Sequence, residues 1–239
     1  ASFGSDSIGT PPLGGGLFPE LVSFDPRGWG GLPETLKERF SSDFEEGMRR
    51  LSEEYPHSMS RLQRAMAAYF FAFAPRPTNL YFSVVKWMID NGWSGTVATL
   101  NYERLFQMCI IQSGLRPIVG KPDSPKEIEL CFPHGCCNLF CESIRGLSGA
   151  VSFMGNAVST NGPVVPIDDP RTYKARIESD AFPPVMSYFD PKKGTTSGAS
   201  FIADQRERYR ECVSRATTVA IIGVKVRMND EHLWKPLAE

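Results

Sequence analysis

An uncharged, β-favouring run over residues 95–100 ends at Asn101 and passes straight into a helical pattern over 102–113. A short uncharged strand feeding a helix is the repeating unit of a parallel α/β sheet. In open sheets of this kind, ligands sit at the carboxyl ends of strands. An amide there can donate and accept at once, which suits a sugar hydroxyl or an ordered water. The position equally suits a helix cap, because Asn is a favoured N-cap residue. His134, in Phe132-Pro133-His134-Gly135, follows a second strand candidate at 128–132. An imidazole on a strand-end loop can serve as a general base near neutral pH; the alternative is a loop histidine satisfied by its surroundings. Of the other two histidines, His57 lies between helical segments and is expected to be solvated. His232 stands at a charged helix start and is expected to be structural.

Four of the six cysteines fall between Cys131 and Cys141, spaced C-x4-C-C-x3-C. A structural zinc ribbon needs two C-x2-C pairs to grip one tetrahedral ion, and neither is here. No metal is therefore predicted, and free thiols are expected. Gly14-Gly15-Gly16 follows Pro11-Pro12-Leu13 rather than a strand, so it fits a phosphate loop poorly. Residues 5–16 read as extended loop.

The elements that must position these residues show in the apolar spacing. Leu36, Phe40, Phe44, Met48 and Leu51 recur at helical intervals, Pro33 precedes them and Pro56 follows. Further helices are expected over 58–74 and 77–90, near 171–178, over 200–215 and from Asp230 onward. The cluster at Tyr69, Phe70, Phe71 and Phe73 reads as core. Strands are expected over 115–119, 128–132 and 151–158. The run 218–223, closed by Gly223, reads as the best strand in the chain and as a second strand end facing a ligand.

Composition limits the partners. The 239 residues carry 26 Lys plus Arg against 27 Asp plus Glu, a net charge of −1, without the basic excess usual in nucleic-acid binding. The longest apolar run, Ala65 to Ala74, has ten residues where a membrane helix needs about 20. No leader pattern opens the sequence, so a cytoplasmic location is expected, with neither nucleic acid nor membrane as partner.

Taken in order, several segments resemble the sirtuin-like NAD-binding family. Thr99-Leu100-Asn101-Tyr102-Glu103-Arg104-Leu105 is similar to its T-x-N-[YI]-D-x-L segment. Phe132-Pro133-His134-Gly135 resembles its L-H-G motif, 33 residues after Asn101. Residues 216–226, then Asn229-Asp230-Glu231-His232-Leu233, are similar to its late strand and following turn. Ala1-Ser2-Phe3-Gly4 resembles the tail of its Gly-Ala-Gly-x-Ser motif. The departures are specific. The paired C-x2-C zinc module of deacylating sirtuins is missing, and Val224 and Lys225 replace the Ser common after the late-strand glycine. The zinc-less pattern, with helices after the opening loop, is similar to the NAD-hydrolysing sirtuin-like domains of bacterial antiphage defence.

The resemblance implies an α/β fold with a Rossmann-like parallel sheet, helices on both faces and an additional helical segment near 34–90. The expected organisation is one NAD-binding domain over 1–239, cut short at both ends. The implied activity is NAD⁺ hydrolysis at the nicotinamide–ribose bond, with NAD⁺ as substrate. Asn101 would hold a ribose hydroxyl or the attacking water, and His134 would act as general base. Ala1, Ser2, Thr99 and Asn101 would contact the dinucleotide on one side, and Gly223, Val224 and Lys225 near the adenosine ribose; Asp6 is a further candidate polar contact. A fused or associated sensor domain and a homo-oligomer are the implied partners. The alternatives are an NAD-dependent protein deacylase and a non-catalytic NAD or ADP-ribose sensor.

Overall fold

Apolar side chains at helical spacing build the first half of the chain. The computed structural model describes residues 5–142, 150–154, 157–188, 194–224 and 230–238. A short strand β1 (Ser7–Ile8) leads into α1 (Gly14–Phe24), α2 (Glu34–Ser42), α3 (Phe44–Glu54) and α4 (Pro56–Phe71). After these come β2 (Ala74–Pro75) and α5 (Leu80–Asp90). The glycine run is therefore not extended loop: Gly14, Gly15 and Gly16 form the first turn of α1, whose Leu17, Phe18 and Leu21 are buried. The burial of that apolar stripe outweighs the poor helix propensity of glycine.

The periodic stretch 36–51 is two helices rather than one. Asp43 breaks it, in extended conformation, and its carboxylate accepts from the backbone N–H groups of Glu45 and Glu46. This is the N-cap geometry that starts a new helix. The apolar faces of α1 to α4 close on Trp29, which is fully buried and donates from Nε1 to the Leu62 carbonyl at 3.2 Å. Tyr69, Phe70 and Phe73 lie buried in the same core. Strands β1 and β2 pair antiparallel, Ser7 opposite Pro75, tying the opening segment to the end of α4.

The second half begins with β3 (Thr96–Ala98), α6 (Leu105–Gln112), β4 (Arg116–Ile118) and β5 (Glu127–Cys131). These strands form a parallel sheet in the order β3-β5-β4, with Ala98 opposite Cys131 and Pro117 opposite Ile128. Then come β6 (Leu139–Cys141), β7 (Ala150–Met154), β8 (Ala157–Asn161), β9 (Val164–Pro166), α7 (Pro170–Ser179), α8 (Ala199–Arg215) and α9 (Glu231–Ala238). The chain is thus mixed α/β with a parallel three-stranded sheet at its centre. The single strand expected at 151–158 is instead the antiparallel pair β7–β8. Strands β6 and β9 pair antiparallel as well.

Side chains alternate along β5 as the pleat requires. Ile128 and Leu130 join the hydrophobic core. Glu129 and Cys131 turn to α8, where Cys131 Sγ donates to the Gln205 carbonyl at 3.0 Å. All six cysteines are free thiols, four of them buried. Burial pushes the Cys109 and Cys131 thiols up to about 12 and raises that of Cys137 as well. Thiols held protonated in this way pack as small apolar groups. Among the described residues, no helix is long and apolar enough to cross a membrane.

The strand expected over 218–223 does not form. The chain leaves α8 at Arg215 and runs irregular to Val224, with Ile221 54% and Ile222 61% exposed. A run of β-branched residues fits a pleated surface, but it becomes a strand only where another strand satisfies its backbone. Among the described residues none pairs with it.

Candidate functional site

Two strand ends meet at one level of the sheet. Ala98 is paired with Cys131, and Asn101 and His134 each lie three residues further along. Pairing extends one step past β3, where Thr99 N–H donates to the Cys131 carbonyl at 3.0 Å. Both candidate residues thus project from adjacent loops at the carboxyl edge of a parallel sheet, the edge where such sheets bind ligands.

Asn101 does not cap the next helix. That helix starts at Leu105, with Arg104 at the cap position, and Glu103 supplies the carboxylate that accepts from the Leu105 N–H. Asn101 is held otherwise: its N–H donates to Thr99 Oγ1 at 3.3 Å, and its Nδ2 donates to the Tyr81 hydroxyl on α5 at 3.3 Å. The first bond fixes its backbone within its own loop, and the second orients its side-chain amide from α5.

The His134 loop is pinned from three sides. Phe132 N–H donates to Gln205 Oε1 at 2.9 Å, and Arg206 Nε donates to the Pro133 carbonyl at 3.1 Å, both from α8. Ser187 N–H donates to the His134 carbonyl at 2.9 Å, and Cys136 N–H to that of Val185 at 3.0 Å. Gly135 turns the chain with φ +78°, and a β-carbon there would fall onto the Val185 carbonyl oxygen. Only glycine accepts both conditions. The Tyr102 ring stacks on the His134 imidazole, centroids 6.3 Å apart, and the Tyr102 hydroxyl donates to the Ser187 carbonyl at 3.0 Å.

His134 is 6% exposed, and its Nε2 lies 3.0 Å from Nε2 of His232 on α9. At that distance one ring presents an N–H and the other a lone pair. Asp230, just before α9, joins them: one donor atom from each of His134, Asp230 and His232 lies within 4.8 Å of the others. Arg206 is close enough to feel the Asp230 charge, while burial pulls its guanidinium below the ordinary value.

The structure therefore brings Thr99, Asn101 and His134 to one sheet edge. Gly223, at φ +66°, and Val224 lie in the exposed irregular stretch after α8 instead of at a strand end. Ala1, Ser2 and Lys225 are outside the described residues. Asp6 is engaged with the segment before α5, accepting from Thr78 Oγ1 and pairing with Arg76 at 3.4 Å; His57 is exposed as expected, but it lies in the first turn of α4 and not between helices. Sequence reasoning missed Tyr102, Arg206, Asp230 and His232 as neighbours of His134. The available signal is the Asp230-Glu231-His232-Leu233 segment, which belongs to the family resemblance but whose local pattern points only to a helix start. A separate concavity lined by Thr35, Glu38, Arg39, Ser42 and Arg50 belongs to α2 and α3 and contains none of these residues. Comparison with protein-family models, with curated proteins and with solved structures gives no match for this chain.

Proposed function

We propose that this chain is an NAD⁺ hydrolase domain of the sirtuin-like kind, built on a Rossmann-like sheet and cleaving the nicotinamide–ribose bond. The observation that carries the reading is the matched placement of Asn101 and His134, each three residues beyond the Ala98–Cys131 pair of adjacent parallel strands.

The reaction sets the requirements. As nicotinamide departs, the electron pair of the ribose C1′–N bond returns to the pyridinium nitrogen, and C1′ gains oxocarbenium character. Water forms the new bond to C1′ and must lose a proton. The Asn101 side-chain amide, held by Tyr81 on a backbone that Thr99 fixes, can orient that water or a ribose hydroxyl, which lowers the barrier through positioning. His134 takes the proton as general base. A proton arriving at Nδ1 lets one at Nε2 cross the 3.0 Å contact to His232. The Tyr102 ring fixes the plane of the imidazole, and the burial of His134 keeps bulk solvent off it.

Dinucleotide contacts at Ala1, Ser2, Gly223, Val224 and Lys225 rest on the family resemblance alone. So do a role in antiphage defence, a sensor partner and a homo-oligomeric assembly.

The test is nicotinamide release from NAD⁺ by the full-length protein. His134→Ala should lower the rate about 10²–10⁴-fold, the range for loss of a general acid–base group, and Asn101→Ala about 10²-fold or more through lost positioning, both with unchanged circular dichroism. Unchanged turnover in His134→Ala removes the assigned role. Strict dependence on an acylated peptide makes the protein a deacylase. Tight ADP-ribose binding without turnover makes it a sensor.

A further inference from the structure

Two imidazoles and a carboxylate converge where α9 meets the loop after β5. His134 is buried, and Asp230 and His232 are half-buried. The two Nε2 atoms are 3.0 Å apart. Two nitrogens bound to one tetrahedral zinc at about 2.0–2.1 Å would stand about 3.3 Å apart. The histidines therefore need to separate by only a few tenths of an ångström to share an ion. The third donor is within 4.8 Å of the others, so it must close by no more than about 1.5 Å to reach the donor–donor spacing of about 3.3 Å that tetrahedral zinc imposes. Rotation of a short carboxylate side chain covers that range.

The chemistry of the donors is also specific. Imidazole with carboxylate suits zinc and neighbouring divalent transition ions, whereas magnesium and calcium prefer all-oxygen sets. Two histidines and one carboxylate are a donor set used by catalytic zinc, with a further position left open. The Asp230 carboxylate supplies the negative charge that two neutral imidazoles lack, and the Arg206 guanidinium already feels that charge.

We propose that His134, Asp230 and His232 form a binding site for a divalent transition-metal ion of the zinc type. The site is separate from the cysteines at 131–141, since none of its ligands is a thiol. It stands on donor geometry and does not need the hydrolase reading. One consequence does rest on that reading: an ion here takes the His134 lone pair, so zinc would inhibit nicotinamide release.

The experiment uses the full-length protein freed of metal by chelator dialysis, with no NAD⁺ present. Zn²⁺ is titrated calorimetrically and Co²⁺ spectroscopically. One ion per chain is expected. Loss of a mere outer-shell partner weakens metal binding about 10–100-fold, so His232→Ala and Asp230→Asn should each weaken Zn²⁺ at least about tenfold. Cys137→Ser should leave it unchanged, and the Co²⁺ complex should show ligand-field bands without thiolate charge transfer. Asp230→Asn keeps the side-chain shape and serves if His232→Ala fails to fold. The proposal is overturned by no stoichiometric binding, by thiolate absorption with loss of binding in Cys137→Ser, or by unchanged affinity in Asp230→Asn. Because no NAD⁺ is present, binding without hydrolysis and hydrolysis without binding are distinguishable outcomes.

Discussion

The Tyr102 ring lies against the His134 imidazole with centroids 6.3 Å apart and planes tilted by 24°, although the two residues leave different strands. Tyr102 directly follows Asn101, so one residue couples the two strand-end loops. Its backbone carbonyl accepts from Cys137 N–H at 2.9 Å, and its ring also stacks on Phe70, 5.9 Å away.

Truncating that residue in two ways separates its roles. Tyr102→Phe removes the hydrogen bond to the Ser187 carbonyl but keeps the stack. It should cost about 1 kcal/mol of stability and leave nicotinamide release within a few-fold of wild type. Tyr102→Ala removes the ring and should cost about 3–5 kcal/mol. By freeing the imidazole plane it should also slow nicotinamide release beyond tenfold, as about 1 Å of misplacement can cost about 10²-fold. Urea denaturation and a turnover assay measure the two effects, and equal rates in Tyr102→Ala and wild type would remove the positioning role.

How much of this was legible in the sequence depends on whether a feature is local. The uncharged run before Asn101 and the strand before His134 could be read because a parallel α/β unit leaves a local signature. Their shared register could not, because it is set by pairing between residues 33 apart in sequence. The break at Asp43 is a cap hidden inside a continuous apolar period, since Phe40 and Phe44 keep helical spacing across it. The 218–223 run failed for the opposite reason: its propensity is high, but a strand also needs a neighbour. His232 carries no local sign of its place beside His134, because only the tertiary fold brings α9 there, 98 residues away.

Gly135→Ala tests the loop that carries His134. The positive φ costs a β-carbon about 1–2 kcal/mol, and here that carbon also meets the Val185 carbonyl. The loop segments 132–137 and 185–187, joined by the isolated Gly135–Met186 bridge, must part to admit it. Stability should fall by more than about 2 kcal/mol, and nicotinamide release should fall with it at temperatures where the variant is still folded. A variant as stable as wild type would mean that the loop relaxes freely, and the pinned geometry of His134 would lose its support.

The sheet itself has an acid-sensitive clamp. Glu129, on the central strand β5 and 3% exposed, accepts from Arg208 Nε at 2.6 Å, from Arg208 Nη2 at 2.9 Å and from Thr96 Oγ1 at 2.6 Å. It therefore ties β3 and α8 to β5, the three elements that frame the candidate site. Burial pushes its carboxyl upward, but the Arg208 and Thr96 hydrogen bonds outweigh this and hold it below the ordinary carboxylate value. A carboxyl whose value is depressed on folding adds stability above its unfolded value, near 4.5, and loses that contribution as pH falls through the folded value. Removing Arg208 leaves a buried carboxylate uncompensated, so Arg208→Ala should cost about 3–5 kcal/mol at neutral pH. Glu129→Gln, which cannot ionise, should be less stable than wild type at pH 7. The gap between them should narrow as pH drops below about 4.5, where only the wild type takes up the extra proton on unfolding. Denaturation midpoints of wild type and Glu129→Gln, taken from neutral pH down through the carboxylate range, measure this. Parallel curves would show that Glu129 carries no ionisation-linked stability and that the clamp is one of shape alone.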